Sequence, residues 1–266
     1  MKPALPFPLS RSLLASLLVP VVSLSFPASA ADFIVDASQS SDPDNNTYST
    51  LEELASSGLL NAGDTVILNN DDTSLTSSLT VPVNFRSDDP AAPYTVDLSH
   101  LGNNPLYNLG AGDYTLEMDS VIWTNGAAGV IRTADDNVSL QITGKVQFLH
   151  NHVNKPTGDA YGGAISMRGA GLTLTLGNDV TFSGNVAQSN FNFNFNFNSN
   201  SDTYSSGGAI HMEGGYATLT LGDNATFSGN VANSYPYYPS SPPPHPLLPP
   251  TTSLAERFIW REATQR

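Results

Sequence analysis

The chain copies part of itself. Gly162-Gly163-Ala164-Ile165 is followed twenty residues later by Phe182-Ser183-Gly184-Asn185. The pair returns at the same spacing as Gly207-Gly208-Ala209-Ile210 and Phe227-Ser228-Gly229-Asn230. Between them Leu172-Thr173-Leu174-Thr175-Leu176-Gly177 matches Ala217-Thr218-Leu219-Thr220-Leu221-Gly222. A gap-free internal repeat constrains the fold strongly, because each copy must be one structural unit that buries its apolar face against the next. A third copy is more worn. Ala128-Gly129-Val130-Ile131 precedes Phe148-Leu149-His150-Asn151 at the same distance, and Leu140, Ile142 and Val146 stand where a clear copy carries Leu174, Leu176 and Val180.

Leu-Thr-Leu-Thr-Leu is the alternation of a strand with one buried face. Stacking units 128–151, 162–185 and 207–230 in register places Leu174 between Leu140 and Leu219 and builds a second column from Phe148, Phe182 and Phe227. Asn151, Asn185 and Asn230 then stack at a turn, where side-chain amides can bond one another along the axis. The glycine pairs supply positive φ and close approach of neighbouring coils. A unit of this length suits one coil of a parallel β-helix and is too short for a propeller blade of about 40–45 residues. The links between units, 152–161 and 186–206, differ in length. They are expected to leave the stack as loops on one side.

The flanks are of different character. Residues 1–30 read as a signal peptide: Lys2 and Arg11 open it, 13–24 is a short apolar run, and Ala28-Ser29-Ala30 marks a cut between Ala30 and Ala31. The run is too short to span a bilayer of about 30 Å, and no later segment is apolar enough to do so. Residues 31–127 are expected to hold N-terminal coils and a cap. Phe33-Ile34-Val35 and Thr65-Val66-Ile67-Leu68 read as strands, Ser49 and Glu52 as a capping box, and 50–57 as a short helix stopped by Gly58. Leu75, Leu79, Val81 and Val83 continue as short alternating pieces, and Tyr114, Leu116 and Met118 as a strand. Ile122-Trp123-Thr124-Asn125 reads as a worn Phe-x-x-Asn element. Residues 128–232 are the repeat coils. The longer link contains alternating Asn and Phe from Asn190 to Asn198, read as a low-complexity loop lengthened by repeat slippage, the alternative being an extended strand with all four Phe on one face. From 233 to 266 a Pro-rich tail is expected to be polyproline II or disordered and not to pair as sheet, with a weak helix over 254–266.

Composition narrows partners more than it names them. There is no cysteine, so disulfides and thiolate metal sites are excluded, and only 13% of residues are charged. Loss of Lys2 and Arg11 leaves 8 basic residues against 24 acidic ones, a formal charge of −16. Phosphate binding needs clustered Lys and Arg, which this chain scatters singly, so nucleic acid and anionic lipid are not expected partners.

The paired motifs resemble the polymorphic outer-membrane protein repeat of the chlamydial autotransporter adhesins. The match runs over Gly162 to Ile165, Phe182 to Asn185, Gly207 to Ile210 and Phe227 to Asn230, with Phe148 to Asn151 as a partial copy. The resemblance implies an all-β, right-handed parallel β-helix passenger, secreted or held at the cell surface, that attaches to a host-cell receptor of protein or glycan nature. It also implies a C-terminal translocator barrel, which this sequence lacks, so the chain reads as a truncated passenger.

A polysaccharide-active, pectate-lyase-like enzyme on such a scaffold needs carboxylates converging on one face. Asp71-Asp72, Asp88-Asp89 and Asp135-Asp136 are neighbours whose side chains point to opposite faces of a strand, and they fit turns better. His150 with His152, and His211 with Glu213, share faces without a third ligand, so no metal is expected. Asp42, Asp44, Asn46 and Glu53 fit the first, third, fifth and twelfth places of a calcium loop, but Thr47 stands where that loop needs glycine. Asn45, Asn137 and Asn224 begin glycosylation sequons, relevant only to a eukaryotic secretory route. No cofactor is expected. The repeat residues have stacking roles, which leaves the links as the expected contact surface. A non-functional fragment is the remaining alternative, and oligomeric state is left open.

Overall fold

The computed structural model describes residues 30–155, 158–192, 205–237 and 260–261. Among these, strands dominate, and every pairing between strands is parallel. Three long sheets carry the core. A leucine sheet runs Thr47–Tyr48, Asp32–Val35, Thr65–Leu68, Asn84–Ser87, Gly112–Asp119, Val138–Thr143, Thr173–Leu176, Thr218–Leu221. A phenylalanine sheet runs Tyr94–Asp97, Val121–Thr124, Val146–Leu149, Thr181–Ser183, Thr226–Ser228. An isoleucine sheet runs Tyr107–Leu109, Ile131–Thr133, Ile165–Arg168, Ile210–Glu213, Trp260–Arg261.

From Tyr107 the chain visits the isoleucine, leucine and phenylalanine sheets in that order, and each later pass repeats the order. Successive passes pair in register: Leu140 with Leu174 and Leu174 with Leu219, Phe148 with Phe182 and Phe182 with Phe227, Ile131 with Ile165 and Ile165 with Ile210. Because side chains alternate along a strand, this register sends the same set inward at every pass. The Phe148 and Phe182 rings stack at 4.8 Å and 12°, and Phe182 and Phe227 at 4.9 Å and 4°. One apolar cluster extends from Phe33 to Ala217.

The two ends of this cluster differ. At the first, Leu51 and Leu54 of the helix Leu51–Ser56 are fully buried. At the other, Leu219 and Phe227 are only partly buried and Leu221 is 41% exposed. Among the described residues no helix is long and apolar enough to cross a membrane.

Several expectations shift. The helix is capped by Thr50, whose Oγ1 accepts the Glu53 N–H at 3.2 Å, one residue later than the Ser49 box. The Ser49 hydroxyl instead donates to Glu53 Oε2 at 2.9 Å. Thr50 wins because it is the last extended residue before the helix. Leu75, Leu79 and Val83 are buried but lie outside any strand, and the strand that follows is Asn84–Ser87. Trp123, not Ile122, occupies the phenylalanine column: it pairs with Phe148 and meets Phe85 edge-on at 4.9 Å. The place of the ladder asparagine in that pass falls to Gly126, while Asn125 turns outward at φ 59° and donates to Asp97.

The tail boundary also moves. Val231–Tyr237 is a strand paired along its whole length with Val186–Asn192, so the chain pairs as sheet five residues past 232. Pro236 is compatible because the strand lies at the edge of its sheet, where a missing N–H leaves no partner wanting. Within 254–266, Trp260–Arg261 pairs as strand with Met212 and Glu213 rather than forming a helix. The signal segment 1–29, Phe193 to Asn198 of the Asn/Phe tract and the prolines from 242 to 250 lie outside the described residues.

Candidate functional site

The repeat residues assemble inside the stack. Asn151 Nδ2 donates to Asn185 Oδ1 at 3.0 Å, and Asn185 Nδ2 donates to Asn230 Oδ1 at 2.9 Å. Each amide also donates to a main-chain carbonyl of the preceding pass: Asn151 to Trp123, Asn185 to Phe148, Asn230 to Phe182, at 2.8–3.1 Å. Each Oδ1 accepts a main-chain N–H as well, from Gly126, Asn151 and Asn185. Asn151 and Asn185 thus use both amide hydrogens, Asn230 ends the ladder, and all three asparagines are buried. The glycine pairs are required sterically. A Cβ on Gly163 would lie 2.1 Å from the Gly208 carbonyl oxygen, and Gly162 and Gly207 hold φ of 55° and 62°. Ala164, Ile165, Ala209 and Ile210 are buried beside them. The motif residues are engaged mainly in packing and in amide-to-amide bonds between passes.

The links are more structured than loops. Both leave the stack as strands, His152–Lys155 and Val186–Asn192, which pair with each other. Both return as strands, Ala160–Tyr161 and Ser205–Ser206, which also pair. Val153, Ala160 and Ala187 form a second small apolar cluster under them. Ser205 Oγ ties the longer link together, accepting the Ser189 N–H at 2.7 Å and donating to the Asn233 carbonyl. A signal for this stem existed: the identity after each Phe-Ser-Gly-Asn continues as Val186-Ala187-x-Ser189 and Val231-Ala232-x-Ser234.

Where the return strand meets the outer face of the isoleucine sheet, four side chains converge. Tyr161 stacks on His211 at 4.5 Å and 27°, and the Arg168 guanidinium lies 4.4 Å from the Tyr161 ring centre. Glu213 Oε2 sits 3.3 Å from Arg168 Nε and 3.4 Å from His211 Nε2, and the Tyr161 hydroxyl donates to Asp159 at 2.6 Å. Strand alternation puts Ser166 and Arg132 on the same outer face, level with His211. Burial holds His211 below its ordinary range, against the pull of Glu213. Burial, then Asp159, pushes the Tyr161 phenol up to about 12. Burial and Arg132 lower Lys155 on the outgoing strand. The neutral imidazole directs Nε2–H to Glu213, leaving buried Nδ1 without a partner. Chemically this cluster is a clamp: a cation–π contact, a ring stack and a shared carboxylate fix the base of the link to the sheet. Sequence reasoning paired His211 with Glu213 but missed Tyr161 and Arg168, which reach them only through the strand pairing.

The other candidates disperse. His150 is at a left-handed turn, φ 53°, with its ring against Gly184, so it does not share a strand face with His152. Asp136 Oδ1 accepts the Ala170 N–H at 2.7 Å, and the Asp135 carboxylate lies beside Gly110. Glu53 takes the Ser41 and Ser49 hydroxyls, and Asp42 takes the Asn45 amide. Among the described residues no three carboxylate or imidazole groups gather to hold a metal. An open groove along the turns between the leucine and phenylalanine sheets is lined by Asp119, Lys145, Asn178 and Asp179. Its polar groups serve the turns: Asp119 accepts the Lys145 N–H, Asn178 the Asp223 N–H, and Asp179 the Asn224 amide. Comparison with protein-family models, with curated proteins and with solved structures gave no match.

Proposed function

We propose that the three sheets are the faces of a right-handed parallel β-helix, and that the protein is an exported or surface-held adhesin that binds through its links without catalysis. One observation carries this reading: passes paired in register on continuous ladders, with links of unequal length leaving from the same point of each pass. A scaffold of this kind tolerates link variation, because the ladders do not depend on what the links contain. The outgoing strand offers His152 and Asn154 to solvent, while Val153 faces the small apolar cluster. The partner is a host-cell or surface receptor of protein or glycan nature, and residues 1–30 direct export.

The test is adhesion of beads coated with the exported chain to cultured epithelial cells. Binding above that of uncoated beads is expected, and the variant His152→Glu with Asn154→Glu should reduce it about tenfold, the scale expected for contact residues near the centre of an interface. Equal binding by coated and uncoated beads would refute the adhesin reading.

A further inference from the structure

Asp64 is a buried carboxylate, 2% exposed, held by two main-chain amides. Its Oδ1 accepts the Ala31 N–H at 2.8 Å and its Oδ2 the Asn61 N–H at 2.7 Å. Among the described residues no Lys, Arg or His stands within ion-pair distance of it. A buried carboxylate normally has a cation or a full set of donors. Ala31 is fixed at this place from its other side too, because its carbonyl accepts the Thr65 N–H at 2.8 Å. Ala30, one residue earlier, is exposed, and Ala31 itself is partly buried. The bond between these residues is the one that the small side chains of Ala28 and Ala30 mark for cutting.

We propose that Asp64 is the binding site for the α-ammonium group of Ala31, created when the leader is cut between Ala30 and Ala31. The co-reactants are water and an endopeptidase that accepts small residues before the cut. The C–N bond of the Ala30–Ala31 peptide breaks and the oxygen of water bonds to the Ala30 carbonyl carbon. Both hydrogens of water end on the Ala31 nitrogen, giving a carboxylate on the leader and an ammonium on the chain. The ammonium occupies the place of the present N–H and turns a neutral hydrogen bond into a charge-assisted one. Its remaining hydrogens face the open side from which residue 30 approached. Removal of the leader thereby locks the first strand, Asp32–Val35, onto Thr65–Leu68. The inference rests on the leader cut and not on the adhesin reading, so an adhesion result leaves it untouched.

The test uses the exported product, its first residue established by mass, with the α-amine free or selectively acetylated. Urea unfolding is expected to show an equilibrium constant for folding at least about tenfold smaller after acetylation, equivalent to one unit of pKa coupling. The difference is expected to vanish in Asp64→Asn. Equal stability of the two forms, a difference that persists in Asp64→Asn, or a mature chain that starts elsewhere would overturn the proposal. Should Asp64→Asn fail to fold, the α-amine of the unmodified product is titrated by NMR. A midpoint above the ordinary value of about 7.7–8.0 is expected, and an ordinary midpoint overturns the proposal.

Discussion

Asn185→Ala should be among the most damaging substitutions in the chain, although it removes no apolar contact of note. The side chain is fully buried and makes four hydrogen bonds. It accepts from Asn151 N at 3.1 Å and Asn151 Nδ2 at 3.0 Å, and donates to the Phe148 carbonyl at 2.8 Å and Asn230 Oδ1 at 2.9 Å. Not all of these partners are orphaned by truncation. Asn230 Oδ1 keeps the Asn185 N–H, and Asn151 Nδ2 keeps its bond to the Trp123 carbonyl. What loses its side-chain partner is the Asn151 main-chain N–H, the second Asn151 Nδ2 hydrogen, and the Nδ2 bond to the Phe148 carbonyl. An unsatisfied buried polar group costs about 1–3 kcal/mol. Water entering the vacated space offsets part of this, so the expected loss is about 3–5 kcal/mol. Urea unfolding of the chain measures it, with Ser183→Ala, on the outward side of the strand Thr181–Ser183 just before Asn185, as control. A loss below about 1 kcal/mol, the net worth of one ordinary hydrogen bond, would refute the ladder as a structural element.

Three further outcomes follow from the geometry. Phe182→Ala, in a fully buried position between two stacked rings, should cost about 3–5 kcal/mol in urea unfolding, and Phe227→Ala at the looser end clearly less. Gly163→Ala should prevent stable folding, since its Cβ would meet main-chain atoms at 2.1 and 2.6 Å, whereas Gly158→Ala, with open space and φ 89°, should cost about 1–2 kcal/mol by the same measurement. His211 is held below its ordinary value by burial, so the unfolded chain binds the extra proton first. Its contribution is whole above about pH 6.5 and is lost as pH falls from there through the folded value. Unfolding midpoints at pH 7.5 and 5.5 should therefore differ more in the parent chain than in His211→Phe.

The stack was legible because its interior is written in repeated, type-specific residues. Leucine, phenylalanine and asparagine columns each need the same side chain at each pass, so a fixed spacing in sequence becomes a register in space. Where a pass substitutes a different residue, reading slips. Trp123 fills the phenylalanine place, but Asn125 looks like the ladder asparagine and draws the motif one residue out of line. Asn84–Ser87 shows a single large apolar residue, Phe85, and its other inward residue, Ser87, bonds to the Ser120 carbonyl. A strand so polar leaves little hydrophobic pattern to find. The stem strands were hidden for another reason: alanine, serine and short valine runs bury a small cluster that composition does not separate from loop. The clamp of Tyr161, Arg168, His211 and Glu213 joins residues up to 52 positions apart, and only the pairing of Ile165–Arg168 with Ile210–Glu213 brings them together.

Units 162–185 and 207–230 are successive passes paired in a fixed register. The chain has no cysteine, so a pair introduced on the strands Thr173–Leu176 and Thr218–Leu221 reports on that register alone. Thr175 and Thr220 are direct partners, and neighbouring strands are about 4.8 Å apart, within the span a disulfide bridges. Thr175 and Thr218 are offset by two residues, which places them about 8 Å apart and beyond that span. Mild oxidation of Thr175→Cys with Thr220→Cys should give a near-complete intramolecular disulfide by mass, and Thr175→Cys with Thr218→Cys little or none. Equal oxidation of the two pairs, or preference for the second, would contradict the stack.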